Sequence, residues 1–594
     1  MSCLAFVNSW FTAHPYIRSR CFARGSEVVF YYIYFFFDFK FNTMSNTMSD
    51  KNSVNFTRRE FLGTVAAAAA FTIVPRSVLG GPGYTAPSDM VNLAGIGVGS
   101  QGGGDIQNIA TPDVPIKRRS FGGGGMLMQP YAGIQPPRRE RRASDNPVQM
   151  GDAEKQSFKH ANIYALCDVD HDYSGHILAG YPKAKKYTDF REMIDKEKEI
   201  DAVLIGTPDH THAVIAAYAM KAGKHVFVEK PMAKTIYETR FLRDLAKQTG
   251  VVTQMGNQGN SGDGVRQLCE WIWNGEIGEV KEVHAWTNRP IWPQGLQRPT
   301  EKQRCPKTMN WDLFIGPAAM RPFHEIYTPW NWRGWWDFGT GAFGDMACHV
   351  LDPVYQSLKL GYPDRVQGRS TQINTESAPQ SEVVEFRFPA RDNLPKVALP
   401  EVKVYWYDGG MLPQRPDLLP DGVDMMRDGL GGCIFVGTKD TLICDCGGFN
   451  SRLLSGRVPQ VAPYLRRIPN ATGYFDGFHE QDWIRACKES PENRVEGTSN
   501  FAYSGPFNEM VLLGVLAIRL QGLNKKLMWD AQNMRFTNIS SSDVLKIVTS
   551  DDFKVIDGHP YFDTKYAEFN ALEAANEYIK HTYREGWSLP EMPV

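Results

Sequence analysis

The stretch from His225 to Pro231 reads His-Val-Phe-Val-Glu-Lys-Pro and joins a short apolar run to a carboxylate, an ammonium group and a proline. The apolar run predicts a buried strand of a parallel sheet. The proline cannot continue a hydrogen-bonded ladder, and it restricts the residue before it to extended backbone. Glu229 and Lys230 are therefore expected at the carboxyl end of the strand, where open α/β sheets bind their ligands. An ordinary strand end with a solvated Glu-Lys pair is the alternative that this stretch leaves open.

A glycine-rich turn and an acid near the N-terminal end of the globular part indicate a dinucleotide site. A predicted strand leads into Gly97-x-Gly99-x-x-Gly102, and a second predicted strand ends at Asp168. Such a turn lets the backbone approach a pyrophosphate at a helix N-terminus. A carboxylate at the end of the second strand binds a ribose 2′-hydroxyl and repels a 2′-phosphate, so NAD is favoured over NADP.

The distance between the turn and the acid is far longer than the usual ~20 residues. The excess, 111–159, is rich in arginine, glycine and proline. This composition predicts a surface insertion. It could form an arm on a partner subunit, a lid over the cofactor, or a loop without a role.

Further strand–turn–helix units follow the same pattern. A predicted strand closes on Thr207-Pro208, and the next helix opens with Asp209-His210-Thr211-His212. His210 and His212 diverge on a helix, which disfavours a metal site. Repeated units of this size predict a doubly wound parallel sheet.

Composition excludes several classes of protein. The 594 residues include 42% hydrophobic and 12% aromatic residues, enough for two or more domains. Lys+Arg 65 against Asp+Glu 66 gives a net charge of -1, which argues against nucleic acid as a partner. Ten cysteines in so long a chain indicate neither a disulfide framework nor a zinc site.

The N-terminal segment is expected to lie outside the fold. Arg58 and Arg59 precede a short apolar run, which resembles a bacterial Tat export signal over 44–81. The expected partner is the Tat machinery, and the expected location is the periplasm. Residues 1–43 are interpreted as a mis-annotated leader, with Met44 or Met48 as the start; a membrane-associated segment is the competing interpretation.

The ordered set of motifs resembles one family. Gly97-x-Gly99-x-x-Gly102, the strand ending at Asp168, Thr207-Pro208, Glu229-Lys230-Pro231 and the Gln-Met-Gly-Asn-Gln run at 254–258 occur in its order. The chain is similar to the family of glucose-fructose oxidoreductase, inositol dehydrogenase and the rhizopine-catabolism dehydrogenases, over about Asn92 to Leu527.

The resemblance implies an α/β Rossmann domain for NAD at 88–232, carrying the insertion 111–159. It also implies an α+β domain at 233–530 with a large open, mostly antiparallel sheet, to which strand-like runs at 280–288, 382–388, 403–407 and 433–436 correspond. Residues 531–594 would be a C-terminal extension strapped to the surface. A homodimer or homotetramer is expected.

The predicted catalytic residues are Lys230, Asp345 and His349. On a helix Asp345 and His349 share a face at i and i+4. Taken alone, this pair could also be a helix-dipole acid beside a buried histidine. The resemblance implies that the pair faces Lys230 across the nicotinamide, with the question of which group is the formal base left open.

The remaining predicted contacts follow from the resemblance. The cofactor residues are Gly97, Gly99, Ser100, Gln101, Gly102, Asp168, Thr207, Pro208, His212, Glu229, Lys230 and Asn257. The substrate residues are Arg333, Trp335, Asp345 and His349. The tryptophans around Arg333 could equally be a sugar-stacking wall or plain core.

The expected function is hydride transfer between NAD(H) and a hydroxyl of a sugar or polyol. The alternative is an NAD-dependent glycoside hydrolase that oxidises C3 transiently. That group carries a Tyr-Pro-Thr-His segment at this helix, whereas Met346 stands three residues before His349 here. A non-catalytic nucleotide-binding protein is disfavoured because Lys230 and His349 occur together.

Overall fold

The computed structural model describes residues 90–116, 160–394, 396–425, 429–469, 471 and 476–592. The predicted leader 1–43, the predicted export signal 44–81 and residues 117–159 of the predicted insertion lie outside the described residues.

The described part of the chain contains a six-stranded parallel sheet with the order β3-β2-β1-β4-β5-β6. Its strands are β1 Val91–Ile96, β2 Ala161–Cys167, β3 Lys185–Tyr187, β4 Ala202–Ile205, β5 His225–Glu229 and β6 Thr253–Gly256. The strand order reverses between β1 and β4, which opens a crevice at the carboxyl ends of the strands. The predicted doubly wound parallel sheet is confirmed.

Helices connect these strands and cover the sheet. They are α1 Gln101–Ile109, α2 Gly175–Gly180, α3 Phe190–Lys196, α4 Asp209–Lys221 and α5 Ile236–Thr249. Helix α5 begins at a capping box formed by Thr235 and Glu238 and ends at Gly250 with φ 67°. The parallel sheet continues past the predicted domain boundary at residue 232, because β6 pairs with β5.

A second, nine-stranded sheet in the described residues has the order β13-β12-β11-β7-β10-β9-β8-β14-β15. Its strands are β7 Val280–Thr287, β8 Arg365–Ser370, β9 Glu382–Phe388, β10 Val402–Tyr407, β11 Gly431–Gly437, β12 Thr441–Asp445, β13 Arg452–Leu453, β14 Leu527–Asp530 and β15 Arg535–Phe536. Strands β7 and β10 pair in parallel, whereas their other neighbours are antiparallel. Buried and partly exposed residues alternate along β9 and β10, so one face packs and the other is open. The predicted open, mostly antiparallel sheet is confirmed.

The second part of the described chain carries its own helices. They are α6 Asp263–Trp273, α7 Trp311–Ile315, α8 Gly341–Val350, α9 Asp352–Ser357, α10 Phe478–Cys487, α11 Phe501–Arg519 and α12 Ala571–Ile579. Among the described residues, α11 is the one helix long and apolar enough to cross a membrane, but its apolar window is 83% buried. It contacts α5, α8 and β8, so it acts as a core helix between the two sheets.

The residues after the second sheet form a ribbon and a tail. Strands β16 Val544–Ile556 and β17 His559–Asn570 pair as an antiparallel ribbon whose outer half is exposed. After α12, the tail crosses back to the first sheet's helices. There the His581 ring and the Tyr583 hydroxyl both contact the Glu238 carboxylate at the start of α5.

Candidate active site

The glycine turn is built by close approach of backbone segments. Gly97 has φ +74°, and a Cβ there would lie 2.7 Å from the Thr207 nitrogen. A Cβ on Gly102 would lie 2.5 Å from the Gly97 carbonyl oxygen. Glycine at these positions lets α1 pack closely against β1, which aims the N-terminus of α1 into the crevice.

Asp168 follows β2 and closes the other side of the turn. Its Oδ2 accepts a hydrogen bond from the Val98 N–H at 2.8 Å, and its Oδ1 accepts one from the Asp170 N–H at 2.9 Å. Burial raises the pKa of Asp168 to about 6, although these two N–H groups act in the opposite direction. The carboxylate is therefore mostly ionised at neutral pH and lies beside the turn.

A cleft runs along the carboxyl ends of the parallel strands. The predicted residues that line it are Gly97, Gly99, Ser100, Gln101, Asp168, Thr207, Pro208, Glu229, Lys230 and Arg333. Tyr173 and Trp587 line it as well, and the sequence did not reveal them. Tyr173 follows Asp168 closely in the chain, which is a weak signal, whereas no motif marks Trp587.

Lys230, Asp345 and Arg333 form a buried charged centre at one end of the cleft. The Lys230 Nζ donates to Asp345 Oδ1 at 2.6 Å, and the Arg333 Nε donates to the same oxygen at 3.0 Å. Burial alone would raise the pKa of Asp345, but the charges of Lys230 and Arg333 outweigh it and hold that pKa below its ordinary value. Asp345 therefore stays ionised and fixes the Lys230 ammonium at the end of β5.

His349 lies one turn further along α8 and is buried beside this centre. Burial and the positive charge of Lys230 hold the pKa of His349 well below its ordinary value. Its imidazole is therefore neutral at physiological pH and can accept a proton. The site thus combines a fixed ammonium with a neutral base, which the helix-dipole interpretation of Asp345 does not explain.

Glu229 lines the cleft and also belongs to a buried group of acids near the glycine turn. Its Oε1 accepts from the Gln258 Nε2 at 2.8 Å, and Asp105 and Glu480 are buried nearby. Burial, together with the neighbouring negative charges, raises the pKa of Asp105, and burial raises that of Glu480 to about 7. The group therefore holds protons to a higher pH than free carboxyls do. Glu480 comes from α10, so sequence order gave no sign of the group.

Two predicted cofactor residues, His212 and Asn257, lie away from the cleft. The two ring nitrogens of His212 are each 2.8 Å from a carbonyl oxygen, those of Thr207 and Pro231, so this residue ties together the chain segments that follow β4 and β5. The Asn257 Nδ2 donates to Asp352 at 3.1 Å and is buried. These two residues position the site instead of lining it.

The tryptophans near Arg333 divide between cleft and core. Trp335, predicted as a substrate residue, is 0% exposed and packs edge-on against Tyr327 with a centroid distance of 4.9 Å. Trp330 and Trp332 line the cleft, and the Arg333 guanidinium lies 4.3 Å from the Trp332 ring centroid. Trp330 and Trp332 therefore face the cleft, while Trp335 is core.

The fold and the site define a two-domain protein with a Rossmann domain built for a dinucleotide. Residues 149–257 match the model of an oxidoreductase family's NAD-binding Rossmann fold, and residues 277–387 match that family's C-terminal alpha/beta domain. Both matches are to the Gfo/Idh/MocA oxidoreductases, the family that the motif order resembles. The glycine turn lies upstream of the first match, and the pairing of β1 with β2 and β4 brings it into the site.

Curated relatives share only part of their length with this chain. A 1-carboxy-3-chloro-3,4-dihydroxycyclohexa-1,5-diene dehydrogenase from Comamonas testosteroni is 29% identical over 168 residues, 28% of this chain and 40% of that protein. A levoglucosan dehydrogenase from Pseudarthrobacter phenanthrenivorans is 30% identical over 165 residues, 28% of this chain and 34% of that protein. A glycosyl hydrolase family 109 protein from Shewanella pealeana is 30% identical over 149 residues, 23% of this chain and 32% of that protein.

Proposed function

We propose that this chain is an NAD-dependent oxidoreductase that transfers hydride from a hydroxyl-bearing carbon of a sugar or polyol. The observation that carries the proposal is the Lys230–Asp345–Arg333 centre beside the neutral His349, at one end of a cleft that holds a glycine turn and Asp168. The family match and the levoglucosan dehydrogenase relative support the class of substrate.

The residues of the site divide the chemistry between them. Bound NAD⁺ would supply the hydride acceptor. The carbinol must lose its hydroxyl proton as hydride leaves. The Lys230 ammonium, fixed by Asp345, donates a hydrogen bond that orients the hydroxyl oxygen, and the neutral His349 accepts the proton. Trp330 and Trp332 offer flat faces to the sugar ring.

A direct experiment tests this proposal. The purified protein is denatured, and released NAD(H) is quantified; the native protein is then mixed with NAD⁺ and a panel of sugars and polyols. Reduction of the nicotinamide, followed by its absorbance, is expected with at least one compound. A protein that neither carries nor binds NAD(H) would contradict the proposal.

We also propose that NAD is preferred over NADP, because the Asp168 carboxylate would repel a 2′-phosphate. Calorimetry should show tighter binding of NADH than of NADPH, and Asp168→Ala should reduce that discrimination. Equal affinities in the wild-type protein would contradict this preference.

Transient C3 oxidation for glycoside cleavage is the second candidate, and the family 109 relative favours it. Against it, Met346 is 5% exposed and stands where that group has a tyrosine. An aryl glycoside separates the two functions: release of the phenol without net NAD⁺ reduction would support hydrolysis.

We propose export to the periplasm by the Tat machinery, on the strength of Arg58-Arg59 and the apolar run after them. A reporter fused to residues 44–85 should reach the periplasm, and replacing both arginines with lysine should retain it inside. Export of the double variant would contradict the Tat route.

We further propose a homodimer or homotetramer that uses the open face of the nine-stranded sheet. On that face His284 stacks on Tyr405 with a centroid distance of 5.1 Å, which supplies aromatic contact area. Light scattering should give a mass of two or four chains, and Tyr405→Asp should lower it. A monomeric wild-type protein would contradict this assembly.

A further inference from the structure

The tail residue Trp587 lines the far end of the cleft. It does so together with Thr188 and Asp189, which directly follow β3. Strand β3 lies beside β2, on the side away from β5, so this end of the cleft is beyond Asp168 and opposite to Lys230. A dinucleotide with its pyrophosphate at the glycine turn and its ribose at Asp168 would therefore place adenine here.

The Trp587 ring is held in place by helix α3. The Arg191 guanidinium lies 4.7 Å from the ring centroid, and the Phe190 ring lies 6.3 Å away at an interplanar angle of 39°. Trp587 itself is partly buried. The indole is thus a positioned, flat apolar surface at the edge of the cleft.

The tail before Trp587 is held by hydrogen bonds to two parts of the structure. The Arg584 Nη1 donates to Asp312 at 2.7 Å, its Nε donates to the Gly316 carbonyl at 2.7 Å, and its backbone N–H donates to the Pro317 carbonyl at 3.0 Å. His581 and Tyr583 bind Glu238 at the start of α5, as described above. These bonds hold the tail against α7 and α5, and they position Trp587 at the cleft.

We propose that the C-terminal tail completes the nucleotide site, with Trp587 stacking on the adenine of the bound dinucleotide and slowing its release. The proposal rests on the NAD binding proposed above. Adenine presents a π-face on which an aromatic ring can stack, and this stacking strengthens binding. The tail therefore acts as a strap that must loosen before the adenine end of the ligand leaves.

Binding of ADP-ribose and NADH to Trp587→Ala tests the strap. Both ligands should bind about tenfold more weakly and dissociate faster, because the missing stack belongs to the adenine half that they share. Trp587→Phe should restore most of the affinity. Phe562→Ala, an equally aromatic change on the exposed ribbon, is the matched control and should leave both ligands unaffected.

A second variant loosens the tail and leaves the indole itself unchanged. Arg584→Ala removes the bonds to Asp312 and Gly316, together with the guanidinium 6.0 Å from the Trp587 ring centroid, and should speed NADH release. If Trp587→Ala unfolds at a lower temperature but binds both ligands like the wild type, Trp587 only packs the tail and the proposal is overturned. If the wild-type protein binds neither ligand, the proposed NAD function itself fails.

Discussion

Two buried aspartates two helical turns apart, Asp345 in α8 and Asp352 in α9, have opposite electrostatic surroundings. Asp345 accepts hydrogen bonds from the cations Lys230 and Arg333. Asp352 accepts from neutral groups instead: the Tyr503 hydroxyl at 2.7 Å and the amides of Asn257 and Asn260 at 3.0–3.1 Å.

The pKa values of the two carboxyls diverge for this reason. Burial raises the pKa of Asp352 to about 6, since neutral donors only partly offset it. The same burial is outweighed at Asp345 by two positive charges, so its pKa falls below the ordinary value. Burial alone thus does not decide the charge of an acid; a cation within hydrogen-bonding distance does. One carboxyl holds an ammonium for chemistry, and the other holds the Asn257–Asn260 turn in place.

Lys230→Met removes the cation that distinguishes the two aspartates. We expect kcat to fall about 10²–10⁴-fold, the usual value of acid–base assistance, while NAD remains bound. Lys234→Met is the matched control, because the Lys234 Nζ donates to the Asp337 carbonyl at 2.9 Å instead of to Asp345. Steady-state kinetics measure the effect. Near wild-type turnover in Lys230→Met would mean that this strand end is scaffold.

Asp345→Asn removes the charge that the two cations share. The free energy of unfolding should fall by about 3 kcal/mol near neutral pH, because Lys230 and Arg333 remain buried without their anion. Asp345 has a folded pKa below the unfolded value of ~3.9, so its contribution is complete above about pH 4 and is lost only as the pH falls through the folded pKa. Urea unfolding at several pH values should show a deficit that is constant between about pH 5 and 8. A deficit that grows as the pH falls would contradict this pairing.

Asp352→Asn should change the free energy of unfolding in the opposite direction and raise it. The folded pKa of Asp352, about 6, lies above its unfolded value, so ionisation opposes folding as the pH rises from about 4 to 6. The variant lacks this penalty. Its unfolding free energy relative to wild type should therefore improve by at most about 3 kcal/mol over that range. Parallel pH curves for the two proteins would show that Asp352 is not destabilised by ionisation.

Part of the site was predictable from the sequence. Strand ends and helical periodicity are local features: they placed Lys230 at a strand end and Asp345 and His349 on one helix face, and the family resemblance assigned the three to catalysis. The glycine turn and Asp168 were predictable for the same reason. The structure brings these residues together as expected.

Long-range packing was not predictable in the same way. Tyr503, Glu480 and Trp587 reach the site from helices and a tail far away in the chain, and no local pattern reveals which surface they cover. Trp335 shows the converse problem. The sequence shows that several tryptophans lie close together in the chain, but only the tertiary structure separates the core residue Trp335 from Trp330 and Trp332 in the cleft.

His349→Asn is the finest test of the comparison. His349 lies in the chain between the two aspartates, and Lys230, the partner of Asp345, lowers its pKa. Turnover should fall about 10²-fold, the lower end of the usual value of general-base help, because His349 is the proposed proton acceptor and the ammonium still orients the hydroxyl. The pKa of His349 is lowered by burial and by Lys230, so wild-type turnover should stay flat as the pH falls through about 6.5, where an unperturbed imidazole would protonate. Protonation favours the unfolded chain, so wild-type stability should decline below that pH, and His349→Asn should decline less. His284→Asn, on the open sheet face, is the control and should keep wild-type turnover. A wild-type activity that halves near pH 6.5 would show that burial and the charge of Lys230 do not hold His349 neutral.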